Sequence, residues 1–210
     1  MEDYDDFLNA LQKFAINLTG TFKLPLKFNP EDQLKGPVRD LISFVGTTLK
    51  LNVNLVTEAQ LDDIKGRPDL GITVESLTTG HIELKAPGKG ADTAKYKGSD
   101  KTQWIKFQDL PNIIYTDGSE WALYRSGKRI GKIIRFCGDV TIDGKTSIDD
   151  NNAKILFRLI REFLYWEPIV PTSPHALAEM LAPITRYLRS DVLTNLDDPE
   201  SNLKFRLRLT

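Results

Sequence analysis

The sequence predicts an α/β domain in which a mixed sheet is flanked by helices. Three observations carry that expectation: helical periodicity before residue 50, period-two or apolar runs between 51 and 135, and helical periodicity again from about residue 149. Residues 3–17 read as an amphipathic packing helix, because Phe7, Leu8, Leu11, Phe14, Ala15 and Leu18 recur at spacings of three and four. A second helix starts near Pro30 and Glu31 and runs to about Lys50, with Val38, Leu41, Ile42 and Val45 on one face. "LNVNLVTEA" then alternates apolar and polar residues, the pattern of a half-buried strand. Two further strands follow at 69–74 and 81–86, joined as a hairpin through "ESLTTG". "SDKTQWIKFQDLP" is a short helix with Ser99 as its cap and Pro111 at its end. "NIIYTDG" has the apolar run of a central strand and leads into an Asp-Gly turn, and "EWALYRSGKRIGKIIRF" is a strand-turn-strand unit around Ser126-Gly127. Helix, three strands, helix, strand and hairpin make a mixed sheet.

From about Asp149 the texture becomes helical. "NNAKILFRLIREFLYW" is one helix, and "SPHALAEMLAPITRYLRSDVL" a second, capped by Ser173, with Pro174 in its first turn and a kink expected at Pro183. The expected division is a domain over 1–148 and a helical extension over 149–210. The final "NLKFRLRLT" carries no stop signal, so the chain reads as the front part of something longer.

Composition narrows the function classes. A formal net charge of -1 excludes binding to nucleic acid by overall basicity, so any such surface must be local. The single cysteine, Cys137, forms no internal disulfide, the N-terminus is acidic where a secretory signal is basic, and no apolar stretch approaches the ~18 residues of a membrane span. The expected setting is cytoplasmic, without a membrane.

The chemistry concentrates in "GRPDLGITVESLTTGHIELKAP". In a strand, side chains alternate faces, so Glu83 and Lys85 point one way while Ile82 and Leu84 serve the core. Asp69 opens the preceding strand, and the hairpin can bring it beside Glu83. Two carboxylates on one edge suit a hard cation such as Mg2+. A neighbouring lysine can orient an attacking water or neutralise charge on a phosphate. The residues alone leave two readings open, a metal-dependent site and a surface ion-pair ladder. The same spacing also occurs in "DIK" at 63–65 and "DGK" at 143–145, but only Glu83 and Lys85 lie within a strand behind a second strand opened by Asp.

"RPDLGI…GHIELKAPGKG" resembles the signature of the PD-(D/E)xK nuclease superfamily, with Pro68-Asp69 as the first half and Glu83-Leu84-Lys85 as the second. "DKTQWIKFQDLPNIIYTDGSEWALYRSGK" resembles, more specifically, the N-terminal nuclease domain of restriction-modification polypeptides in which a nuclease is fused to an adenine-N6 DNA methyltransferase. The resemblance runs from about Glu31 to Lys128 and more weakly through the late helices. It implies a restriction-endonuclease-like αβββαβ core and a deoxyribonuclease acting on double-stranded DNA with Mg2+, for which Mn2+ can substitute. It also implies covalently linked methyltransferase and target-recognition domains in the full-length protein. Asp69 and Glu83 would be metal ligands, Lys85 the catalytic lysine and Gln103 the supporting helix glutamine. Relatives often carry tyrosine one turn later, where this chain has Phe107. Glu31 matches an acidic position that sometimes reaches the metal through water, and it equally fits a first-turn acid facing the helix dipole.

Between Lys85 and Arg135 there are eleven Lys and Arg against five Asp and Glu. That balance suits either a DNA-facing flank, with Lys89, Lys95, Lys97 and Lys101 as contacts, or a solvated polar face. "GKG" at 88–90 reads as a loop rather than a phosphate cradle, because no long helix follows it directly. His81 and His175 lack the spacing of a metal pair. Trp104, Trp121 and Trp166 sit in apolar patterns and are expected in the core. No Asn-Pro-Pro-Tyr-like motif or glycine-rich methyl-donor loop occurs, so methylation by this chain is not expected. A junction-resolving or repair nuclease on the same scaffold, and a DNA-binding or interaction module without catalysis, remain the alternatives.

Overall fold

The computed structural model describes residues 2–57, 66–75 and 77–166, together with the isolated helical positions Ala178, Thr185 and Arg189. Met1–Glu167 form one compact unit and Pro168–Thr210 a second. The expected helix around Ser173, Pro174 and Pro183, His175, and the terminal segment lie outside the described residues.

Helices α1 (Glu2–Phe22) and α2 (Asp32–Thr48) follow the periodicity of their apolar residues. Phe7, Leu11, Phe14, Ala15 and Leu18 of the first, and Leu34, Val38, Leu41, Ile42 and Val45 of the second, are all buried. The six strands β1 (Val53–Thr57), β2 (Leu70–Val74), β3 (Leu77–Leu84), β4 (Ile113–Thr116), β5 (Glu120–Arg125) and β6 (Lys128–Arg135) form one sheet in sequence order. Every pairing is antiparallel except β3 with β4, whose parallel connection passes through helix α3 (Gly98–Phe107). From α2 to β4 the order is helix, three strands, helix, strand. Helix α4 (Asp150–Leu164) closes the described chain, with the Asp149 carboxylate accepting from the Asn152 N–H at its N-terminus. Among the described residues no helix is long and apolar enough to cross a membrane.

The two faces of the sheet bury different chemistry. Ile82, Leu84, Ile114, Trp121 and Leu123 join α1, α2 and α4 in a largely aliphatic core. Tyr115, Ala122, Tyr124 and Ile113 face the other way and pack with Ala91, Tyr96, Trp104, Phe107 and Leu110 from α3 and its flanks. Trp104 and Trp121 are buried as expected, whereas Trp166 is only half-buried at the end of α4.

Three local expectations need correction. Leu77–Gly80, expected as loop, is the first half of β3: Leu77 and Thr78 pair with Val74 and Thr73, and the register shifts at Thr79, which has no partner in β2, before Gly80 pairs with Ile72. Ser99 does not cap α3. The helix begins one residue earlier at Gly98, whose φ of +55° turns the chain, and Lys97 at the cap position makes no side-chain capping bond. Helix α4 lies within the compact unit, past the expected boundary at 148, because Ala153, Leu156, Ile160 and Phe163 complete the aliphatic core.

Asn112 fastens α4 to the sheet. Its fully buried amide donates to the carbonyls of Thr79 and Phe163, each at 3.0 Å, and its Oδ1 accepts from Arg125 Nε at 3.3 Å. Gly80 makes the approach possible, since a Cβ there would stand 2.5 Å from the Asn112 carbonyl oxygen and 2.7 Å from the Phe163 ring. Asn112→Ala removes the Asn112 donor from the Thr79 carbonyl and leaves the Phe163 carbonyl with the longer bond from Trp166 N–H at 3.3 Å, and is expected to lower the unfolding free energy by about 2–4 kcal/mol in urea denaturation. A loss below ~1 kcal/mol would show that this fastening is dispensable.

Candidate functional site

Strand alternation places Ile82 and Leu84 in the aliphatic core and turns Glu83 and Lys85 toward α3. Leu70 pairs with Ile82, which sets Asp69, just before β2, beside Glu83. The Asp69 carboxylate is anchored there, with Oδ2 accepting from the Leu84 N–H at 2.9 Å. The chain continues its parallel contact one residue beyond β3, because the Lys85 N–H donates to the Thr116 carbonyl at 2.8 Å.

Glu83 and Lys85 are each only 1% exposed. A surface ion-pair ladder needs solvent on both partners, so burial removes that alternative. The Lys85 ammonium donates to Glu83 Oε1 at 2.9 Å and to Gln103 Oε1 at 2.5 Å, and it lies 3.7 Å from Glu31 Oε1. Glu31 stands at the N-cap position of α2 but makes no side-chain capping bond, so its carboxylate is turned to the cleft and not to its own helix. Carboxylate oxygens of Glu31, Asp69 and Glu83 all lie within 4.8 Å of one another. The structure thus brings Asp69, Glu83, Lys85, Gln103 and Glu31 into one cleft of about 520 Å³.

The cleft has residues that sequence reasoning passed over. Lys35 reaches Asp69 Oδ1 at 3.4 Å and Asp32 Oδ1 at 3.0 Å; its position four residues after Glu31, on the same helical face, was the available signal. Asp100, Thr102 and Lys106 line the wall made by α3. Phe107 packs its ring in the aromatic layer and against Gly66, leaving no room for a tyrosine-like role at the cleft. Lys89, Lys95, Lys97 and Lys101 are all exposed. Of these, Lys89 meets the cleft wall directly, 2.5 Å from Asp100 Oδ2, while Lys95 faces Asp92 at 3.8 Å.

Beneath the charged groups lies a floor of rings. Tyr96, Trp104, Tyr115 and Tyr124 contact one another with centroids 5.0 to 5.8 Å apart, and Tyr115 sits opposite Glu83 in the parallel ladder. This floor excludes water, and its effect shows on the nearest carboxyl. Burial pushes Glu83 up to about 8, with the charges of Asp69 and Glu31 adding and Lys85 opposing. Burial also raises Glu31. Although Lys85 sits at ion-pair distance from Glu83, its attraction does not overcome the loss of solvation, so the upward direction stands.

These residues fit a hard divalent cation. Three carboxylates face the ammonium groups of Lys35 and Lys85, leaving one negative charge in excess when all are ionised. Glu83 Oε2 is buried with no hydrogen-bond partner among the described residues. All three groups offer oxygen, the donor type that Mg2+ and Mn2+ take.

No family model matches the sequence, and no curated protein does. Among solved structures, a DrdV–DNA complex determined by cryo-electron microscopy is similar over 77% of this chain, with a TM-score of 0.55 and 20% identity. This chain spans 14% of that one's length. At such identity the likeness is one of fold: the six-stranded mixed sheet with its flanking helices.

Calorimetry with Mg2+ or Mn2+ checks the cluster. Asp69→Asn is expected to weaken binding roughly tenfold or more, and equal binding by both proteins would sink the assignment. A second expectation concerns pH in the presence of a chelator. A carboxyl whose pKa rises on folding holds its proton more tightly when folded, so Glu83 contributes stability that is full below 4.5 and is lost as pH rises through about 8. Burial has the opposite effect on His81, lowering it from 6.5 to about 4, so its contribution is present above 6.5 and lost as pH falls. The two oppose each other below 6.5, and above it only Glu83 of this pair still titrates. Thermal stability should therefore fall from pH 6.5 to 8, and Glu83→Gln should flatten that slope. A wild-type melting temperature that rises over this window contradicts the burial argument.

Proposed function

We propose that this chain is a Mg2+-dependent DNA endonuclease domain that hydrolyses phosphodiester bonds in duplex DNA. The observation that carries the reading is the buried lysine held by Glu83 and Gln103 beside three converging carboxylates, one of which keeps an unpartnered oxygen. The likeness in fold to a chain solved in a DNA complex supports it, as does the family resemblance of the Pro68-Asp69 and Glu83-Leu84-Lys85 segments.

Asp69 and Glu83 would hold the metal, with Glu31 reaching it directly or through water. Mg2+ bound there supplies stabilisation for the charge on the phosphate and on the departing oxygen. The chain's own residues perform the positioning. Lys85 is fixed from two sides, so its ammonium presents a donor to the attacking water or to a phosphate oxygen without rearrangement. Gln103 supplies a neutral acceptor and so orients Lys85 without adding charge. The aromatic floor keeps bulk water from the inner side of the cleft. The water oxygen bonds to phosphorus and gives up a proton to solvent as the bond from phosphorus to the departing oxygen breaks, and that oxygen takes a proton from solvent in turn.

The same reading extends to the setting: cytoplasmic, as the cleavage part of a restriction-modification enzyme. Linked methyltransferase and target-recognition domains would belong to the full-length protein.

Lys85 separates this function from binding alone. As a cation it does not ligate metal, so Lys85→Ala should leave Mg2+ affinity intact or slightly tighter and DNA binding in Ca2+ nearly unchanged. Plasmid nicking or cleavage with Mg2+ should fall on the order of 100-fold or more. If the variant cuts as fast as wild type, the buried pair is structural and the proposed chemistry is wrong.

A further inference from the structure

Beyond the cleft, one buried carboxylate is tied entirely to backbone. Asp117, 2% exposed, lies in the turn between β4 and β5 and makes no ion pair among the described residues. Its Oδ1 accepts from the N–H groups of Ser119 at 3.0 Å and Glu120 at 2.7 Å, closing its own turn. Its Oδ2 reaches across to the loop that leaves Lys85, accepting from Gly88 N–H at 3.1 Å and Gly90 N–H at 2.8 Å. Those two glycines adopt φ of +85° and +74°, which orients both amides toward one acceptor. Three further bonds fix the same loop: Ala91 N–H to Glu120 Oε2, Tyr96 hydroxyl to the Gly90 carbonyl, and Tyr124 hydroxyl to the Ala91 carbonyl.

Between the two latched glycines stands Lys89. Its side chain is 52% exposed, and its ammonium reaches the first turn of α3 at Asp100, a residue that lines the metal cleft. A loop with two positive-φ glycines would otherwise sample many paths. Held as it is, it presents one cation at the rim of the cleft.

We infer that Asp117 is a positioning residue: by latching Gly88 and Gly90 it holds Lys89 at the cleft rim, where the ammonium exchanges Asp100 for a phosphate of the DNA backbone. This rests on the DNA reading above and names the residues through which that reading would operate. Binding then needs no rebuilding of the loop, because the ammonium is already placed and itself half-exposed, so that water and salt screen its pairing with the partly buried Asp100.

The chemistry of asparagine makes the test selective. In Asp117→Asn the remaining amide oxygen can still accept from Ser119 and Glu120, but the NH2 group meets the Gly88 and Gly90 amides as donor against donor. Binding of a fluorescent duplex by the full chain in Ca2+ is measured across salt for wild type, Lys89→Ala, Asp117→Asn and the double variant. Lys89→Ala should weaken binding roughly fivefold and reduce the salt slope by about one. Asp117→Asn should produce a similar loss, and the double variant no further loss, a non-additivity that a merely structural role for Asp117 would not give. Amide exchange at Gly88 and Gly90 should accelerate in Asp117→Asn. If that variant fails to fold, Gly88→Ala takes its place in the cycle, since a Cβ there meets nothing within 4 Å and perturbs only the loop's backbone. Additive losses, or binding unchanged in Lys89→Ala, overturn the inference while leaving the endonuclease reading intact. A wild-type chain that binds no duplex overturns both, whereas DNA binding with the expected coupling but no cleavage refutes only the endonuclease reading.

Discussion

A lysine ammonium and a glutamate carboxylate, both withdrawn from solvent and 2.9 Å apart, set the terms for the rest of the domain. Neither could be buried alone, and even together their attraction does not repay the water they lose. The surrounding structure must supply the difference. It does so through the aliphatic core on the other face of β3, through the Lys85 amide bond to Thr116, and through Gln103, which gives Lys85 a second acceptor without another charge. The parallel pairing of β3 and β4 follows from the same need. A crossover is what allows a helix to return over this face and present Gln103 to a lysine 18 positions earlier.

The aromatic layer does two jobs. As apolar surface it dehydrates Glu83 and so raises its proton affinity until another positive charge arrives. As a set of rigid rings with polar tips it also fixes the loop beyond Lys85, since the Tyr96 and Tyr124 hydroxyls each donate to a carbonyl in it. Tyr115, directly beneath Glu83, has a buried hydroxyl without a partner among the described residues, as does the second oxygen of Glu83. The remaining such atom among the described residues, His81 Nδ1, lies two residues before Glu83 on β3, so the polar shortage follows this part of the sheet.

Much of this was legible in the sequence because periodicity reports which face a side chain takes. The helix carrying Val38, Leu41, Ile42 and Val45, the apolar strand after Asn112 and the parity of Glu83 and Lys85 all follow from spacing alone. Burial of that charged pair did not follow, because a Glu-x-Lys reads identically on a surface strand. The "DGK" segment shows the ambiguity: Asp143 flanks a 3-10 turn, where its carboxylate accepts from the Asp139 N–H. The start of β3 was hidden because polar threonines interrupt the apolar pattern and the extra residue at Thr79 breaks the period-two alternation. Asp117 escaped for a different reason. Its partners Gly88 and Gly90 lie far along the chain, and no local period encodes a contact of that range.

Under the proposed function an acidic centre would have to face a polyanion, an electrostatic problem that the lysines nearest the cleft would address. The acids of the first turns of α1, Asp3, Asp5 and Asp6, lie at the end of a helix on the aliphatic face, where Tyr4 donates to Asp150 at the start of α4. The exposed lysines at 89, 95, 97, 101 and 106 belong to the loop and helix that cover the opposite face. At ~0.1 M salt the Debye length is about 10 Å, close to the thickness of one layer of packed secondary structure. A phosphate near α3 therefore responds mainly to the lysines on its own side, while the carboxylates beyond the sheet are largely screened. Net charge near zero and a locally cationic rim are compatible for this reason.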